Sequence, residues 1–118
     1  MSQRIAFVDD YRASGYLNEL IGAGFDVHHI VDADDAVNII NQDPSFDCIV
    51  LDIRMPVPGS VSEHEAEHVL EGGENTGIWI LEKIQHTIQR RNIPVLVLTV
   101  RNTHEIDRVM SARAIQID

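Results

Sequence analysis

Three carboxylates and one hydroxyl in this chain stand where short apolar runs end. Asp9 and Asp10 follow Ile5-Ala6-Phe7-Val8, Asp52 follows Cys48-Ile49-Val50-Leu51, and Thr99 follows Val95-Leu96-Val97-Leu98. Brought to one place, carboxylates raise one another's pKa unless a cation neutralises them. An oxygen-only cluster is hard-cation chemistry, and Mg²⁺ is the expected ion because it binds through few carboxylates and keeps several waters. A metal, a carboxylate nucleophile and a hydroxyl donor together suit phosphoryl transfer to an aspartate. Taken alone, each group has a plainer use: Asp9-Asp10 as a turn or helix cap, Thr99 as a cap for the next helix, Asp52 as a solvated loop acid. Their joint position at three strand ends, in order, is what points to a site.

The elements that must position them can be read from periodicity. Residues 5–8 form a first strand, and residues 11–23 carry Ala13, Leu17, Leu20 and Ile21 at helical spacing before Gly24. Residues 25–31 alternate loosely as a half-exposed second strand, and residues 32–41 form a helix with an Asp-rich start that complements the helix dipole. Asp43-Pro44-Ser45 breaks that helix before the central strand, whose four consecutive apolar residues predict burial on both faces. Pro56 then forces a loop. A third long helix spans residues 77–88, a buried strand residues 93–99 and a further helix residues 103–114; residues 115–118 begin a fifth strand. Alternating elements of this length predict a flavodoxin-like, doubly wound parallel α/β sheet of order 2-1-3-4-5, with its fifth strand and last helix incomplete. In that order strands one and three are neighbours at the switch point, so Asp9, Asp10 and Asp52 converge.

Composition narrows the field. At 118 residues the chain, taken as residues 1–118, fits one domain, and its 44% apolar and 24% charged residues are ordinary for a soluble fold. No apolar run is long enough to span a membrane, and the N-terminus has no signal-peptide plan, so a cytoplasmic setting is expected. A net charge of −10 disfavours nucleic acid and anionic membranes as partners and suits a domain that gathers a divalent cation. The single cysteine, Cys48, lies in an apolar strand and reads as a small hydrophobe.

The acid pair Asp9-Asp10, Asp52 followed by Met55-Pro56, and Val95-Leu96-Val97-Leu98-Thr99 together resemble the receiver domain of two-component response regulators. The resemblance covers nearly the whole chain outside residues 59–75. It implies that Asp52 accepts a phosphoryl group from a histidine kinase, a phosphotransfer protein or a small phosphodonor, and that Asp9, Asp10, Asp52 and the backbone carbonyl of Arg54 hold Mg²⁺. Thr99 would be the switch hydroxyl, and the Val100 backbone N–H would meet the phosphoryl group. Phosphorylation would control an output partner, a homodimer is compatible with it, and no enzymatic activity is expected beyond gain and loss of the chain's own phosphate. Receivers also carry a lysine and an aromatic switch residue at strand five. Counted from Thr99 both fall at or beyond Asp118, so the sequence reads as a fragment of a longer protein. The missing lysine opens an alternative, a degenerate pseudo-receiver that binds partners without phosphate.

The second departure is an acidic insertion at residues 59–75, with five glutamates, two histidines and no Lys or Arg. Ser62-Glu63-His64-Glu65 fits a capping box that opens a short helix, and Gly72-Gly73 would end it. Its position on the loop after Asp52 predicts a role in gating that residue or docking a partner. Within it, His64-Glu65-Ala66-Glu67-His68 matches the H-E-x-x-H pattern of zinc metalloproteases, a remote alternative because no third ligand follows at the expected spacing. His28, His29, His86 and His104 show no ligand spacing and are assigned no role.

Overall fold

The computed structural model describes residues 3–10, 15–43 and 45–98. Four parallel strands, β1 (Arg4–Val8), β2 (Asp26–Ile30), β3 (Cys48–Asp52) and β4 (Val95–Leu98), lie in the order β2-β1-β3-β4. The helices are α1 (Gly15–Gly22), α2 (Ala33–Gln42), α3 (Glu63–His68) and α4 (Thr76–Arg91). The expected fifth strand and last helix, with Thr99, Val100 and Asp118, lie outside the described residues. Among those residues no helix is long and apolar enough to cross a membrane.

Strand side chains alternate between the two faces of the sheet. Ala6, Val8, Ile49 and Leu51 pack with α2 and α4 in the larger core, which also holds Ile40, Ile78, Ile80, Leu81 and Ile84. Ile5, Phe7 and Val50 point to the other face and meet Leu17 of α1. Burial on both faces is what the unbroken apolar runs of β1 and β3 require. Two helix ends are closed by residues placed for it in the sequence. The Asp32 side chain accepts from the Asp35 N–H at the start of α2, and Asn92, in the left-handed conformation, closes α4 behind Arg90 and Arg91.

One group in this core is out of balance. The Thr76 hydroxyl, in the first turn of α4, is fully buried with no hydrogen-bond partner among the described residues. An unmade buried hydrogen bond costs about 1–3 kcal/mol, so Thr76→Val, which keeps the shape, should raise stability by roughly 1 kcal/mol in a denaturant titration.

Register carries the fold to the site. Val8 pairs with Leu51 and Asp52 with Leu98, so the residue after β1 arrives beside the last residue of β3 at the C-terminal edge of the sheet. The opposite edge is held by structural charges. Arg4 pairs with Asp26 at 3.4 Å and Asp43 at 3.0 Å, and its guanidinium lies over Phe46.

Candidate functional site

Asp9, Asp10 and Asp52 each offer a carboxylate oxygen to one cluster in which these atoms lie within 4.8 Å of one another. No other group of three or more metal-ligating side chains comes that close among the described residues. Asp9 is buried, Asp52 half-buried and Asp10 exposed, so the cluster opens to solvent on one side. The Asp9 backbone is fixed from β2: its N–H donates to the Ile30 carbonyl at 3.1 Å, and His29 Nε2 lies 2.8 Å from its carbonyl oxygen. An Nε2–H tautomer of His29 would donate that bond. His29, assigned no role from sequence, therefore orients a site residue. Only strand pairing brings residues 9 and 29 together, and ligand spacing along the chain could not show it.

Burial pushes the Asp52 carboxyl above its ordinary value, and the neighbouring charges of Asp9 and Asp10 push it further. The Arg54 N–H, donated to Asp52 Oδ1 at 3.1 Å, and the Arg54 guanidinium act the other way. Crowded carboxylates with oxygen donors only, open on one side, suit Mg²⁺ with retained waters.

The loop after Asp52 is held by the end of the insertion. Met55 N–H donates to the Gly73 carbonyl at 3.2 Å, Gly77 N–H donates to the Ile53 carbonyl at 2.8 Å, and Arg54 pairs with Glu74 at 2.9 Å. Gly73 has φ +110°, and a Cβ there would stand 2.6 Å from the Met55 carbonyl oxygen. The acidic composition of residues 59–75 suggests a solvated segment, yet the insertion is anchored in the core. Leu70, Gly73 and Asn75 are buried, and Val61 and Val69 pack against the main core. At the other end, Ser60 N–H donates to Asp34 Oδ2 at 3.0 Å and its hydroxyl also meets the Asp34 carboxylate, which ties the insertion to α2. Ser62 does cap α3, accepting from the Glu65 N–H at 3.1 Å. That helix ends at His68, earlier than expected, and Gly72 and Gly73 fall in a separate 3-10 turn, Glu71–Gly73.

Neither a family model nor a curated protein matches the sequence. Solved structures do match the fold. The receiver domain of Francisella response regulator 1452 superposes with a TM-score of 0.64 at 20% identity, over 94% of this chain and 78% of that one. Vibrio cholerae chemotaxis protein CheY4 gives 0.63 at 21% identity, over 95% and 80%. The MaeR response regulator bound to beryllium trifluoride gives 0.61 at 22%, over 98% and 80%. With parallel strands in the order 2-1-3-4 and an acidic cluster at the ends of β1 and β3, this chain has the fold of a response-regulator receiver domain.

Proposed function

We propose that the chain is a phospho-accepting switch of a two-component phosphorelay, with Asp52 as the acceptor. The observation that carries this reading is the convergence of Asp52 with Asp9 and Asp10 at the C-terminal edge of a parallel sheet. Beryllium trifluoride, which MaeR binds, is a mimic of a phosphoryl group, so one protein of this fold accommodates that shape.

Asp9, Asp10, Asp52 and the Arg54 carbonyl are the residues that would hold Mg²⁺. Its contribution when bound is to neutralise the crowded carboxylates and the oxygens of the incoming phosphoryl group. An Asp52 carboxylate oxygen attacks phosphorus in line with the departing group. A new O–P bond forms as the donor's N–P or O–P bond breaks, and the electron pair leaves with the donor. The Thr99 hydroxyl and the Val100 N–H then meet the phosphoryl oxygens in this proposal. A histidine kinase or phosphotransfer protein supplies the group, and the modified surface selects an output partner.

One observation favours the second reading, a phosphate-independent binding module. Among the described residues the one lysine is Lys83, on α4, and its ammonium lies 5.8 Å from the Trp79 ring centroid. Intact mass after incubation with acetyl phosphate and Mg²⁺ separates the two. A phosphate-sized gain, slow and absent in Asp52→Asn, establishes the switch. No gain, with acetyl phosphate and Mg²⁺ in excess, makes it a binding module.

A further inference from the structure

Besides the acidic cluster, a candidate cation site, the insertion carries ligand groups of different chemistry. His64 and His68 stand four residues apart on α3, so they share one face of the helix. Their rings are in contact, with centroids 4.6 Å apart, and both side chains are exposed. Glu67 adds a carboxylate oxygen 3.9 Å from His68 Nε2. From residue 55 to residue 82 there is no Lys or Arg, while Glu63, Glu65, Glu67, Glu71, Glu74 and Glu82 all fall in that span. The local field therefore concentrates cations and no ammonium or guanidinium of that segment competes for the imidazoles.

We propose that His64 and His68 chelate one borderline divalent cation of the Zn²⁺, Ni²⁺ or Cu²⁺ class on the outer face of α3. Two imidazoles at this spacing supply nitrogen ligands that such ions prefer, while Mg²⁺ prefers oxygen. Water completes the coordination, and the Glu67 carboxylate beside His68 adds negative charge next to the pair. Chelation links the two ends of a six-residue helix, too short to be stable by propensity alone. That helix runs through buried Leu70 into Gly73 and Glu74, the residues that hold the loop after Asp52. A cation here thus stiffens the insertion at its outer end. The site does not support the protease reading, because no third protein ligand comes within reach of the pair among the described residues.

The test is calorimetric titration of the intact chain with ZnCl₂ in excess MgCl₂, which keeps the carboxylate cluster filled with the hard ion. The expected result is one equivalent of Zn²⁺, weakened at least about tenfold in both His64→Ala and His68→Ala and unchanged in His86→Ala. Both histidines are exposed, so the variants keep the fold, and circular dichroism checks that they do. Unchanged binding in the two α3 variants overturns the proposal. So does equal loss in His86→Ala, or loss in Asp52→Asn with the α3 variants unaffected. None of these results depends on whether Asp52 accepts phosphate.

Discussion

Alanine at Gly77 is expected to destabilise the fold by about 3 kcal/mol or more, lowering the melting temperature by roughly 10 °C or more. A Cβ at this position would lie 2.5 Å from both the Asp52 carbonyl oxygen and Ile53 Cα. These are backbone atoms of the strand that ends at the candidate acceptor, so no side chain can swing aside to make room. Either α4 is pushed away from the sheet or the loop after Asp52 moves. The first opens the core around Ile78, Ile80 and Leu81, and the second breaks the Gly77 N–H bond to Ile53. Gly73→Ala should be nearly as damaging, because it adds strain at φ +110° to a 2.6 Å approach to the Met55 oxygen. Gly59→Ala is the control: the nearest atom, an Asp34 carboxylate oxygen, is 3.9 Å away, and thermal unfolding should change little. Equal melting temperatures for all three variants would show that α4 and the insertion do not press on the loop after Asp52.

These glycines also mark where sequence reasoning ends. The strands and helices could be read because each apolar run carries its own period, and strands one and three were placed side by side by a general rule of α/β sheets. That rule alone brings Asp9 and Asp10 to Asp52, so the core of the candidate site was visible in the sequence. The insertion was not. Its glutamates and histidines give it the composition of a solvated loop, yet Leu70 is completely buried and Asn75 is bonded to Val69 and Glu71. Single anchoring residues leave no periodic trace. The same holds for His29 against Asp9 and for Glu74 against Arg54, pairs 20 residues apart whose contact is a consequence of the fold. Thr99, Val100 and the fifth strand lie outside the described residues, and their roles rest on the family resemblance.

The second large effect is an inversion. Without a divalent cation, Asp52→Asn should be more stable than the native chain at neutral pH, because burial and the charges of Asp9 and Asp10 oppose ionisation of Asp52. Asparagine keeps the shape and can still accept from the Arg54 N–H. The sign follows from linkage. The folded-state pKa of Asp52 is raised, so its favourable contribution is complete below the unfolded value and is lost as pH rises through the folded value. The advantage of Asp52→Asn should therefore appear as pH rises through that window and disappear in acid. Mg²⁺ in the proposed site is expected to reverse the ranking. An ion that binds only the folded state stabilises it by about 2.7 kcal/mol when present at 100 times its Kd, and the variant lacks one of the carboxylates proposed to hold it. Thermal melts of both chains, with Mg²⁺ and with chelator, across pH read all of this. A variant that is less stable without Mg²⁺ at neutral pH would mean that the three carboxylates do not repel one another as closely as their placement requires. A variant that is more stable without the ion and less stable with it would show that the acidic cluster is strained until a cation fills it, as expected of a site built to bind charge at a cost to the resting fold.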